Sequence, residues 1–182
     1  MPASFFIWVQ DAHCMNNQEI RILETAGCSQ DIIAHCCAVS KKAVALVEQV
    51  TINIDKELVR LGGLFHDIGR SRTQGIRHAL EGAEILSNLG YPDSLIHIVE
   101  THIGAGITAA EAERLGLPKR NYLPLTPEAK IVSYADNLIH GIEEIPFPDA
   151  LDTFKKMLGS DHESIHLFLK QHQEIQDWIR QS

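Results

Sequence analysis

The stretch Leu61-Gly62-Gly63-Leu64-Phe65-His66-Asp67-Ile68-Gly69-Arg70 decides how this chain is read. With Leu58, its residues Leu61, Leu64 and Phe65 keep a helical period after Asp55, a good helix cap. His66 and Asp67 then fall at the end of that helix, where side chains project between helices. Gly69 is expected to permit a turn and stop the helix. Imidazole nitrogens and carboxylate oxygens hold Zn, Fe or Mn in water-activating sites. An adjacent histidine and aspartate carry little weight alone, so the rest of the chain must supply partners.

The surrounding pattern is helical nearly throughout. Asn17 to Ala26 reads as a first helix, stopped by Gly27. Ser29-Gln30-Asp31 opens a second, which carries His35 among the apolar residues Ile32, Cys36 and Val39. His78 begins another helix that runs to Gly90. Tyr91-Pro92-Asp93 starts the next, with His102 at its end, and a short helix follows around Thr108 to Leu115. Thr126-Pro127-Glu128 is a good helix start because proline suits the first helical position. That helix continues through Ile131, Val132, Ala135, Leu138 and Ile139 and carries Asp136, a carboxylate expensive to bury without a counter-charge. Two amphipathic helices, about Asp149 to Leu158 and Asp161 to Arg180, complete the chain, and no strand hairpin is expected. The expected fold is therefore all-α, a compact helical bundle with a metal site between helices. Residues 1–16 are expected to be an N-terminal extension and 17–146 the core. Residues 147–182 are expected to complete the same domain as C-terminal helices.

Composition narrows the functional classes. A chain of 182 residues, 45% hydrophobic and 22% charged, is ordinary for one globular domain. A net charge of −8 without a run of lysine and arginine argues against a nucleic-acid polymer as partner. It leaves a phosphate substrate open, because bound cations reverse the local field. Cys14, Cys28, Cys36 and Cys37 form no Cys-x-x-Cys pair and read as reduced thiols in a cytoplasmic protein. The apolar start Ser4-Phe5-Phe6-Ile7-Trp8-Val9 is too short for a membrane span, so no membrane partner is expected. Gly104-Ala105-Gly106-Ile107 lacks the lysine of a phosphate loop and is expected to shape the mouth of the site.

Together, His35, His66-Asp67 and Asp136 resemble the His…His-Asp…Asp signature of the HD-domain metal-dependent phosphohydrolases. Leu61 to Arg70 resembles that family's HDIG segment, and Lys130-Ile131-Val132-Ser133-Tyr134-Ala135-Asp136 its K-I-x-x-x-A-D segment. His78 in Arg77-His78-Ala79-Leu80-Glu81-Gly82-Ala83 and His102 in Ile98-Val99-Glu100-Thr101-His102 resemble the two further histidines of the six-ligand subgroup. The resemblance covers about residues 20 to 140. It implies that His35, His66, Asp67 and Asp136 hold one metal and that His78 and His102 hold a second, with Asp67 bridging. The cofactor would then be one or two Fe, Mn or Zn per chain, used to activate hydroxide for attack on phosphorus.

Catalytic roles are expected for three residues. Asp67 is expected to orient the attacking hydroxide. Lys130, six residues before Asp136, is expected to face the same cleft and stabilise phosphate charge. Arg70 is expected to grip phosphate by paired hydrogen bonds. Arg72 reads as a surface arginine. His140, one turn beyond Asp136, is a lesser candidate to orient a ligand.

The function implied is hydrolysis of a small phosphate ester, cyclic phosphate or nucleotide. No Gly-Tyr-Pro follows His102, which departs from the branch that cleaves cyclic di-guanylate. The segment from His102 to Tyr122 resembles small stand-alone archaeal members, which inclines the reading to a 2′,3′-cyclic phosphodiesterase. The alternatives are a diadenosine polyphosphate or nucleotide hydrolase, a non-catalytic metal-binding regulatory module, and a di-iron oxygenase. The oligomeric state is open.

Overall fold

The computed structural model describes residues 16–180. The expected N-terminal extension, with His13 and Cys14, lies outside the described residues apart from Asn16. Helix α1 (Asn17–Ala26) starts in a capping box, in which the Asn16 side chain and Glu19 each satisfy a free backbone N–H of the first turn. Helix α2 (Gln30–Val47) is capped by Ser29. It buries Ile33, Cys36, Val39, Ser40, Ala43 and Leu46, spaced three and four apart as one helical face requires. Helix α3 (Lys56–Phe65) is capped by Asp55 and followed by a 3-10 turn over Ile68–Ser71. Then come α4 (His78–Asn88), α5 (Asp93–Thr101) and the short α6 (Ala109–Arg114). Helix α7 (Pro127–Asn137) is capped by Thr126 with proline at its first position, and α8 (Phe147–Leu158) and α9 (Glu163–Arg180) follow.

The fold is an all-α bundle, as the periodicity indicates, with one correction. The expected helix through Leu138 and Ile139 ends at Asn137. Ile139–His140 (β1) instead pairs antiparallel with Glu143–Glu144 (β2), with Ile139 opposite Glu144 and His140 opposite Glu143. The two-residue loop between them has Gly141 in its first position with φ +64°, where glycine is favoured. A hairpin this short leaves almost no alternation to read, and Leu138-Ile139 prolongs the helical period. Helix α8 starts at Phe147, two residues before the expected Asp149, because Pro148 is tolerated in a helix's first turn.

Two apolar clusters share α2, α3 and α5. One joins Val39, Ala43 and Leu46 to Val59, Ile98, Ile131, Val132, Tyr134 and Ala135. It also takes in Ala150, Phe168 and Ile175 from α8 and α9. The other joins Leu23, Ile33 and Cys36 to Leu64, Phe65, Ile68, Leu86, Leu95 and Val99. Contact between α2 and α3 is close because of Gly63. A Cβ there would stand 2.6 Å from the Ser40 Cα, well inside van der Waals contact. The Ser40 hydroxyl then donates to the Arg60 carbonyl at 2.8 Å across the same contact.

Candidate metal centre

Each side chain of the expected site is set by a helix end or a helix face. His66 and Asp67 follow the last turn of α3, and His78 opens α4. His102 follows α5, while His35 and Asp136 sit within α2 and α7. Gly69 serves this arrangement differently from expectation. It lies inside the 3-10 turn without positive φ, and a Cβ there would stand 1.9 Å from the His78 carbonyl oxygen. Its lack of a side chain therefore seats the turn against the start of α4 and brings Asp67 beside His78.

The structure brings together all six residues expected as ligands. His35 Nε2 lies 3.0 Å and His66 Nε2 3.3 Å from Asp136 Oδ1. The two oxygens of Asp67 face opposite ways. Oδ1 lies 3.0 Å from His78 Nε2 and 3.5 Å from His102 Nε2, while Oδ2 lies 3.7 Å from His66 Nε2 and 4.0 Å from His35 Nε2. His78 Nε2 and His102 Nε2 are 3.0 Å apart. The side chains of His66, Asp67, His78 and His102 are at most 5% exposed, whereas His35 and Asp136 are 19% and 20% exposed. The centre is therefore more open on the His35 and Asp136 side.

The donor set fits a cation. In all four rings Nδ1 faces a main-chain carbonyl: Gly141 for His35 (2.7 Å), Gly63 for His66 (2.8 Å), Gly75 for His78 (2.9 Å) and Val99 for His102 (2.7 Å). A carbonyl only accepts, so Nδ1 carries the proton and a neutral ring presents the Nε2 lone pair to the centre. Carboxylates also only accept. The buried His66 Nε2 and Asp67 Oδ1 make no hydrogen bond of good geometry, although possible partners lie 3.0–3.3 Å away. Such a set is stable only with added positive charge, either protons or a metal.

With protons alone, the electrostatics follow this logic. Burial opposes a charged His66, but the carboxylates of Asp67 and Asp136 outweigh it and hold the ring's pKa well above the ordinary histidine range. Burial likewise opposes ionised Asp67 and Asp136. The charge of His66 prevails, aided by the adjacent His102 and His78 at Asp67 and by the hydrogen bond from His35 at Asp136, so both carboxyls lie far below their usual range. His102 is lowered by burial, against the pull of Asp67.

Arg70 reaches the centre and donates from Nε to Asp67 Oδ2. Lys130 does not, contrary to expectation. Its Nζ pairs with Glu174 Oε1 at 2.5 Å and lies 5.9 Å from the centroid of the Trp178 ring. Six helical positions rotate the side chain by about 240° beyond whole turns, so Lys130 and Asp136 occupy different faces. His140 is exposed on β1, and Arg72 pairs with Glu81 and Glu84 on the surface. Sequence reasoning missed the Gly141 carbonyl. A backbone acceptor has no residue signature beyond the glycine that permits its turn.

A bundle with imidazoles and carboxylates converging from five helical segments defines an all-α protein with a candidate metal centre. The HD-domain family model matches residues 32–141, and the chain belongs to this family of metal-dependent phosphohydrolases. An uncharacterized protein of Methanocaldococcus jannaschii is 49% identical over 156 residues, covering 84% of this chain and 92% of that protein. A tRNA (cytidine(56)-2′-O)-methyltransferase of Thermoplasma volcanium is 44% identical over 135 residues, covering 74% of this chain but 39% of that relative. This chain thus spans well under half of that relative's length. Among solved structures, the HD domain of the L. monocytogenes phosphodiesterase PgpH superposes with a TM-score of 0.54 at 17% identity, covering 91% of this chain and 100% of that domain. The same domain has also been solved with cyclic-di-AMP. At this identity the likeness is one of fold. Among the described residues, no helix is long and apolar enough to cross a membrane.

Proposed function

We propose that this chain is a phosphodiesterase that opens a small phosphodiester, with a 2′,3′-cyclic phosphate as the favoured substrate. It would use a dinuclear Fe, Mn or Zn centre held by His35, His66, Asp67, His78, His102 and Asp136. The observation that carries this reading is the convergence of acceptor atoms on both sides of Asp67, with Oδ1 toward His78 and His102 and Oδ2 toward His35 and His66. A divalent metal in such a set lowers the pKa of water toward neutrality and polarises a phosphoryl oxygen.

The chain's own residues set the rest. The buried imidazoles exclude bulk water, and their Nδ1 bonds fix the orientation of Nε2. Arg70, 32% exposed at its side chain, contacts Asp67 through Nε and offers its remaining N–H groups to a phosphate oxygen. Other basic side chains are already matched, with Lys42 on Glu144, Arg72 on Glu81 and Glu84, and Lys130 on Glu174. A singly charged phosphodiester suits this balance better than a nucleoside triphosphate. The named phosphodiesterase activity of PgpH and its complex with cyclic-di-AMP support a phosphodiester, although only the fold is shared.

Residues 17–146 form the catalytic core in this reading, and residues 147–182 complete the domain. The free thiols of Cys28, Cys36 and Cys37 support a cytoplasmic setting. The test is turnover by metal-loaded protein of 2′,3′-cyclic nucleotides, cyclic dinucleotides, diadenosine tetraphosphate and short RNA. A phosphomonoester product from the cyclic phosphates is expected. Metal-loaded protein inert to every phosphodiester would overturn the reading.

A further inference from the structure

His35 differs from the other histidines of the centre. The carbonyls that receive Nδ1–H from His66, His78 and His102 lie three residues back along the chain. The one that receives it from His35 is Gly141 O, 106 residues away, at the tip of the β1–β2 hairpin. The hairpin meets α2 a second time. Lys42, seven residues beyond His35 on α2, pairs with Glu144 of β2 at 2.5 Å with its side chain 15% exposed. Two contacts about two turns apart thus seat the hairpin along α2.

We propose that the hairpin Ile139–Glu144 is a positioning element for one half of the centre, the half made by His35, His66 and Asp136. This rests on the metal reading above. A neutral imidazole has two tautomers, and only the Nδ1–H form leaves Nε2 free as an acceptor. For His66, His78 and His102 that form is fixed as soon as the local turn forms. For His35 it is fixed only when the hairpin is docked. Loading of the His35 half therefore depends on the hairpin, and loading of the His78–His102 half does not. Gly141, through its carbonyl, and Lys42, through Glu144, are positioning residues.

Gly141→Val tests this without a steric clash. A Cβ at Gly141 meets nothing within 4 Å, so the substitution acts through its φ of +64°, which a β-branched residue resists. Lys42→Met removes the second contact. Gly116→Val is the matched control, at φ +73° with open space around it and away from the hairpin. Metal titration of the full chain, with the two halves assigned by His35→Ala and His78→Ala, is combined with nitrogen NMR of the imidazoles.

In Gly141→Val and Lys42→Met, affinity of the His35 half is expected to fall roughly 10- to 100-fold, the usual effect of losing a group that orients a ligand. The His78–His102 half should stay as in the parent protein, and Gly116→Val should change neither half. Equal loss from both halves, the same loss in Gly116→Val, or unchanged affinity would overturn the proposal. If the parent protein bound no metal, the proposed function would fail. The metal-free spectra would still decide the positioning claim, because the His35 Nδ1–H should be hydrogen-bonded to Gly141 O in the parent and should lose that bond in Gly141→Val. A His35 Nδ1 signal unaltered by Gly141→Val contradicts it.

Discussion

The Nε2 atoms of His78 and His102 face each other at 3.0 Å, while Nδ1 of each ring donates to its own main-chain carbonyl. Two lone pairs at that distance repel unless a proton or a metal lies with them. Loading with Mn or Zn should therefore stabilise the fold. At about 100 times Kd the gain is ~2.7 kcal/mol. For a domain of this size each kcal/mol raises Tm by roughly 2–4 °C. Differential scanning calorimetry before and after chelation measures it, and an unchanged Tm would contradict it.

Asp67→Asn keeps the shape of the side chain and removes the charge that faces both halves. Transition-state stabilisation worth several kcal/mol should be lost. At ~1.4 kcal/mol per factor of ten, kcat should fall by at least ~10²- to 10³-fold. Helix content measured by circular dichroism should hold. Turnover near the parent level with full metal content would remove Asp67 from the mechanism.

Lys130→Ala separates the expectation from sequence from the structural finding. The amine is bound to Glu174 on the far face of α7, with both side chains partly exposed. Catalysis should change little, and stability should fall by about 0.2–1 kcal/mol, the range for such ion pairs. A large drop in kcat at unchanged KM would restore the lysine to the site.

Gly69→Ala should be far more damaging than its size suggests. The new methyl would meet the His78 carbonyl at 1.9 Å and the Gly82 amide nitrogen at 2.4 Å, both main-chain atoms that cannot rotate away. A loss of about 3 kcal/mol or more is expected from urea unfolding, at or above the usual range for overpacking. Metal affinity should fall with it, because the same contact seats Asp67 beside His78.

Most of the fold was legible because its signals are local. Asn16, Ser29, Asp55 and Thr126 cap helices where the sequence places helix starts, and their periodic apolar residues form the two clusters. The placement of the six candidate ligands was legible as well, since each sits at a helix end or on a buried helix face. Three features were not legible. The hairpin is too short to alternate, and the side chain of Lys130 depends on where α9 packs. The purpose of Gly69 depends on the approach of α4. Each is decided by contacts distant in sequence, which periodicity does not register.

The central claim is that this centre is built for metal. Elemental analysis of protein purified without oxygen, and without an affinity-tag metal, tests it most directly. About two Fe, Mn or Zn per chain are expected, falling to one in His78→Ala, in line with two-metal phosphoryl sites. A chain that holds no metal as purified, and none after reconstitution, would contradict the account.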